Sequence, residues 1–306
     1  MKTLLATLAS GAAMLGLLAA PHVSAGEATA PATTAAAPVS ATPALWKVAD
    51  EDTTIYLFGT VHLLPEGISW YEGPVSEALE SSGTLVTEIP LGPEADAQMQ
   101  QIALARGMLP AGGNLRALMS EEDRARYEAA LGALSIPPAA FDGMKPWMAG
   151  LTLTVLPLIQ QGYSLDAGVE KKLLGLAGPD KPREALETIE FQLGLFDGMD
   201  QAAQIEFLIA SAESAERVKP ALDAMVAEWA EGDADGLAAV MNAELTDPAV
   251  AEALLYSRNA NWADWIDSRL EQPGTVFMAV GAGHLAGERS VQDLLARRGI
   301  ATTRVQ

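Results

Sequence analysis

Two stretches of this chain end an apolar run in the same way. LFGTVHLLP spans Leu57 to Pro65 and AVGAGHLAG spans Ala279 to Gly287, and each places a glycine three residues before a histidine–leucine pair. Each glycine follows at least four apolar residues, the pattern of a buried strand. A glycine at that point lets the backbone turn sharply or lets a ligand come close to it. The chain must therefore build two strand-to-loop corners of one kind, with His62 and His284 lying 222 residues apart.

The residues around these corners set the expected fold. Leu45 to Thr60 holds two apolar runs split by Asp50, Glu51 and Asp52, which predicts a hairpin. Ser81 to Pro90 predicts a strand bounded by Gly83 and Pro90, rich in β-branched residues from Thr84 to Ile89. Thr275 to His284 predicts another, and TTRVQ after Gly299 an edge strand. Between about Glu94 and Leu270, Ala, Leu, Glu and Gln recur at helical spacing, with caps such as Ser120 followed by Asp123. Leu151 to Tyr163 is apolar on all sides and too short to cross a bilayer, so it predicts a core helix with a proline kink or break. The expected class is α/β, with a central mixed β-sheet carrying the GxxH motifs at its strand ends, many surrounding helices and a helix-rich middle. No solenoid-type repeat is present.

Residues 1–25 read as a removable export signal: Lys2 supplies the charged start, Leu4 to Ala20 is apolar, and Val23, Ser24 and Ala25 suit a small-residue cleavage site. An uncleaved anchor is the alternative, but Thr7, Ser10, Gly11 and Gly16 weaken a run that is already short for a span. Residues 26–44, mostly Ala, Pro, Thr and Ser, predict a flexible linker, and 45–306 a single folded domain. The chain has no cysteine, which excludes a lipoprotein anchor and leaves stability in an oxidising compartment to core packing. These features predict a periplasmic or secreted protein with no stable membrane span once the signal is removed. The net charge of −21, lowered to −22 when Lys2 leaves with the signal, repels phosphate backbones and anionic lipid, so nucleic acid is excluded as a partner.

Of the three histidines, His22 lies in the predicted signal, and the two that remain share the GxxHL context. Glu88 interrupts the apolar strand TLVTEI near its carboxyl end. A buried carboxylate at such a point needs a metal, a cation or a proton; an edge-strand glutamate facing water is the alternative. Carboxyl ends of neighbouring strands in an open α/β sheet converge on one crevice, which would bring His62, Glu88 and His284 together. Two imidazoles and a carboxylate suit a divalent ion such as zinc, manganese, iron or cobalt, and that ion could acidify water and polarise a carbonyl for hydrolysis. Metal-free hydrolysis stays open, with one histidine as general base and Glu88 orienting it. Neither HExxH nor GxSxG occurs.

An ordered set of motifs resembles the TraB/GumN family: LWKVADEDTTIYLFGTVHLLP, LVTEI, MKPW from Met144 to Trp147, GYSLDAGVE from Gly162 to Glu170, ALETIEFQLGLFDGM from Ala185 to Met199, SRNANWADWI from Ser257 to Ile266, and TVFMAVGAGHLAG. The resemblance covers Leu45 to Gln306. Kinship of that family with the Tiki metalloproteases, and more distantly with erythromycin-esterase-like and ChaN-like proteins, implies an α/β core with two GxxH motifs and a site glutamate. These fall on Gly59 with His62, Gly281 with His284, and Glu88. Arg258 and Asn259 match the family's Arg-Asn pair, which with Gly59 and Gly281 is expected to contact substrate; a cation–π pairing of Arg258 with Trp262 is the alternative. Glu187 matches a glutamate that precedes a helix, as a cap or in catalysis. Glu170 stands where an aspartate is expected. Lys145, Pro146 and Trp147 could line the pocket or simply start a helix with a packing tryptophan.

The function expected from these readings is an exported metal-dependent hydrolase with His62, Glu88 and His284 as catalytic and metal-binding residues. Its substrate would be a peptide, through an amide bond, or a small molecule. The alternative is a non-catalytic periplasmic binder that sequesters a peptide or a haem-like ligand.

Overall fold

Asp50 starts the hairpin turn by accepting hydrogen bonds from the backbone N–H groups of Asp52 (3.1 Å) and Thr53 (2.8 Å). The turn joins β1 (Leu45–Ala49) to β2 (Thr53–Thr60) in antiparallel register. The computed structural model describes residues 39–245 and 248–306; the predicted signal over 1–25 and most of the predicted linker lie outside the described residues.

The central sheet is completed by β3 (Thr84–Thr87), β4 (Arg183–Ala185), β5 (Gly274–Gly281) and β6 (Thr303–Arg304), in the order β6-β1-β2-β5-β3-β4. Strands β2, β5, β3 and β4 run parallel, whereas β1 is antiparallel to both its neighbours, so the sheet is mixed as expected. The predicted edge strand near the carboxyl end is β6. Strand β4 has no clear sequence signal, because its three residues, REA, show neither alternation nor an apolar run.

The helices are α1 (Gly73–Ser81), α2 (Pro93–Gly107), α3 (Glu121–Ala133), α4 (Pro146–Gln160), α5 (Val169–Ala177), α6 (Ile189–Asp197), α7 (Gln201–Glu231), α8 (Ala234–Glu244), α9 (Ser257–Leu270) and α10 (Val291–Arg297). Strand alternation sends Phe58, Leu85, Phe277 and Ala279 to one face of the sheet, where they meet residues of α1, α4 and α7 such as Leu79, Trp147 and Trp229. Ile55, Leu57, Val86, Val276 and Met278 go to the other face, under Trp262 and Ile266 of α9 and Leu295 of α10. Each such buried side chain contributes about 1.5–3 kcal/mol.

The all-round apolar character of α4 follows from its having two partners. Trp147, Leu151 and Val155 join the core against the sheet, while Ala149 and Leu153 join a second cluster with Tyr127 and Leu131 of α3 and Leu208 of α7. A Cβ on Gly150 would lie 2.7 Å from the Phe207 ring, so glycine sets the close approach of α4 and α7. Pro157 falls in the last turn, and the helix stops at Gln160. Ser120 caps α3 by accepting from the Asp123 N–H, as its spacing predicts.

Ordered packing begins before Leu45. Val39–Ser40 pairs in parallel with Ile68–Ser69, and Ala41 and Ala44 are buried. The small alanine side chains fit where the Ala41 and Thr42 N–H groups reach the Ser69 and Ala230 carbonyls. Among the described residues, no helix is long and apolar enough to cross a membrane.

Candidate functional site

Four parallel strands deliver a polar residue to one edge of the sheet. His62 lies two residues past β2, Glu88 follows β3 directly, Glu187 lies two residues past β4, and His284 sits in a 3-10 turn, Ala282–Leu285, after β5. Pairing of β3 with β4 extends beyond the strands: Leu186 N–H donates to the Thr87 carbonyl (2.9 Å) and Glu187 N–H to the Glu88 carbonyl (2.8 Å). Register thus places the two glutamates side by side. Glu88 is buried between two neighbouring strands and does not face water.

The two GxxH corners lie on adjacent strands but one residue out of step. Gly59 pairs with Val280 and Thr60 with Gly281, so residues equivalent in the motif are not equivalent in the sheet. Their surroundings differ accordingly. His284 is wholly buried, whereas His62 lines a cleft. Gly59 is needed for packing, since a Cβ there would lie 3.0 Å from both the Cα and the Cβ of Ala282. The Gly281 N–H donates to Glu88 Oε1 at 2.6 Å.

Arg258, on α9, lies at the centre of the site and is fully buried. Its Nε donates to Glu187 Oε1 (2.8 Å); its Nη2 donates to Glu88 Oε2 (2.6 Å) and Glu187 Oε2 (2.9 Å); its Nη1 donates to the Leu254 carbonyl (3.0 Å) and faces His284 Nε2 (3.2 Å). The Leu254 carbonyl belongs to a π-helical segment, Glu252–Tyr256, that precedes α9, the wider coil that often marks a functional site. The guanidinium also lies 4.9 Å from the centroid of the Trp262 ring. The cation–π contact of Arg258 with Trp262 that the sequence offered is therefore present. Gln192 donates to both glutamates, at 3.0 and 2.9 Å, and Trp262 Nε1 to Glu187 at 3.1 Å.

Hydrogen bonding fixes the His284 tautomer. The Asn259 amide N–H donates to the Arg289 carbonyl (2.9 Å), which turns Asn259 Oδ1 toward His284 Nδ1 at 2.5 Å. That nitrogen must carry the proton, so Nε2 is the one that accepts from Arg258. Burial, then the Arg258 charge, push the His284 pKa from 6.5 down to about 3. Burial alone would raise Glu88, but Arg258, His284, His62 and the Gly281 N–H outweigh it and hold the carboxyl at about 2. Both values lie below those of the unfolded chain. Each contribution to stability is therefore complete above the unfolded value and fades as pH falls, from 6.5 toward 3 for His284 and from 4.5 toward 2 for Glu88. In urea titrations across that range, His284→Gln is expected to flatten the fall between pH 6.5 and 4.5. An unchanged slope in the variant would contradict the buried neutral imidazole.

His62 has a different partner. Its Nδ1 lies 2.6 Å from Glu170 Oε1 on α5, a close contact outside the geometry of an N–H···O hydrogen bond. The glutamate standing in place of the expected aspartate thus comes within 2.6 Å of the imidazole. Glu88 and His284 both lie within electrostatic reach of His62, so the three share one environment. The loop before α5 is held against the strand end: Val169 N–H donates to the Val61 carbonyl (3.0 Å), and a Cβ on Gly168 would overlap the His62 carbonyl oxygen. Gly168→Ala is expected to cost about 1–3 kcal/mol and to separate Glu170 from His62. Thermal melts and the His62 ring resonances in NMR would register both effects, and a variant unchanged in both would refute this.

His62 and Glu170 line a cleft with Ile89, Leu91, Met99 and Ile189, while Lys171 and Asp96 form its polar rim. A wider, open depression near Trp46, Asp233 and Arg304 contains none of these site side chains. Lys145, Pro146 and Trp147 belong to a helix start: Pro146 opens α4, and Lys145 Nζ and Trp147 Nε1 both donate to Asp197. Gln192 carried no sequence signal, since nothing in a helical glutamine marks it as bridging two carboxylates from other elements.

Most of the lone pairs that Glu88 and His284 would offer a divalent ion are already engaged. Both Glu88 oxygens accept from Gly281, Arg258 or Gln192, and both ring nitrogens of His284 are paired. Among the described residues, no group of three or more His, Asp and Glu side chains is arranged to hold a metal. The residues as arranged do not fit the ion that the sequence pattern implies.

The family model described as TraB/PrgY/gumN family matches residues 44–304. An uncharacterized protein of Treponema pallidum is 25% identical over 270 residues, covering 83% of this chain and 80% of the relative. The uncharacterized protein YbaP of Escherichia coli is 23% identical over 248 residues, covering 78% of this chain and 87% of YbaP, and YbaP of Shigella flexneri matches to the same extent. No solved structure matches the chain.

Proposed function

The chain belongs to the TraB/PrgY/gumN family, and on that premise we propose that it is an exported hydrolase that cleaves an amide bond in a peptide carrying an apolar side chain. The observation that carries the reading is the 2.6 Å contact between His62 Nδ1 and Glu170, at a cleft with apolar walls. Glu170, 2.6 Å from His62 Nδ1, would stabilise the imidazolium that forms when the ring takes a proton from water. Ile89, Leu91 and Met99 would receive the apolar side chain and keep bulk water from the reacting bond. Glu88 stays ionised within electrostatic reach of His62. No step is routed through a metal ion.

The same apolar walls would serve a binder that sequesters a peptide or a haem-like ligand. Incubation of the purified chain with a mixed peptide library, read by mass spectrometry, separates the two. Products that disappear with His62→Gln support the hydrolase. Retention of intact peptide by a chain that yields no product supports the binder, and cleavage that survives His62→Gln rejects the assignment of the base.

A further inference from the structure

Glu88, Glu187 and His284 are residue types that commonly ligate a divalent cation, and all three turn toward one point. A guanidinium lies there. We propose that Arg258 is a built-in cation in the position a metal ion would take, so that this site works with no bound metal. The inference deepens the hydrolase reading and rests on it for the role of the site.

The fit of the arginine is complete. A guanidinium side chain has five N–H donors, and each has an acceptor here: two on Glu187, one on Glu88, one on the Leu254 carbonyl and one on His284 Nε2. An ion in the same place would need those same carboxylate oxygens and that same imidazole lone pair. One permanent positive charge faces two carboxylates, and the negative charge left over is spread across neutral donors. Gln192 reaches both glutamates, Trp262 Nε1 reaches Glu187, and the Gly281 N–H reaches Glu88. Asn259 fixes His284 so that its lone pair points at the guanidinium.

Arg258 is fully buried and is separated from the cleft that His62 lines. It is therefore a positioning residue. It holds Glu88 and Glu187 in place and keeps Glu88 ionised, within electrostatic reach of His62.

Ion binding, read independently of any peptide cleavage, tests this. The purified full chain, titrated with manganese or zinc by calorimetry and assayed for metal after gel filtration, is expected to hold no ion whose retention depends on Glu88. Arg258→Ala opens the cation position and is expected to gain one ion per chain, to melt at a higher temperature with zinc than without it, and to lose both properties when combined with Glu187→Gln. One ion per wild-type chain that is lost in Glu88→Gln would overturn the proposal, as would a folded Arg258→Ala chain that binds none. Should Arg258→Ala stay unfolded with and without zinc, the wild-type measurement decides alone. A chain that cleaves no peptide but behaves in this way would sink the hydrolase reading and leave the built-in cation standing.

Discussion

Arg258→Met is expected to lower the stability of the fold by about 3–5 kcal/mol, the range for stranding the partner of a buried ion pair. Methionine keeps most of the volume, so the loss is chiefly electrostatic. Two carboxylates, Glu88 and Glu187, would remain in a site from which water is largely excluded, without the guanidinium that pairs with both. Gln192, Trp262 and Gly281 would still donate to them, but dipoles do not replace a charge. Glu88 would then lose its main reason for staying ionised and take up a proton at higher pH. Urea denaturation at pH 7 gives the stability change, and adding Glu187→Gln should restore part of it, because the two substitutions share one network. Additive losses in the double variant would show that the charges do not interact as the distances imply.

His62→Ala is expected to lower kcat/KM for a cleaved peptide by about 10²-fold to 10⁴-fold, the usual contribution of a positioned general base. Glu170→Gln should lower it within that range, since an amide cannot stabilise an imidazolium. The double variant should be no slower than His62→Ala, because groups that act as one unit do not add. Stability is expected to change little with Glu170→Gln, which distinguishes this pair from the Arg258 network. Independent, multiplying losses would mean that Glu170 acts on something other than His62.

Much of the fold was legible because local chemistry and tertiary structure agree. The Asp50–Asp52 break, the apolar runs ending at Gly59 and Gly281, the β-branched strand before Glu88 and the Ser120 cap each state their own conformation within a few residues. Strand β4 was not legible, because a three-residue strand is defined by its neighbour β3 and not by its own side chains. The packed segment from Val39 to Ala44 was hidden for a related reason: its composition suits a linker, and partners distant in sequence, among them the Ser69 and Ala230 carbonyls, fix its path.

The sequence by itself determined which residue types the site could contain. Two histidines in repeated corners, a glutamate inside an apolar strand and an Arg-Asn pair all stood out against their surroundings. Only the tertiary structure decided who faces whom. It gave His62 to Glu170, gave His284 to Asn259 and Arg258, and brought Glu187 and Gln192 in to complete the ring around the guanidinium. The physical reason is that an ionisable side chain takes its chemistry from the charges and dipoles within a few ångströms of it. In this fold those neighbours come from strands and helices far apart in the sequence, brought together by the register of a parallel sheet.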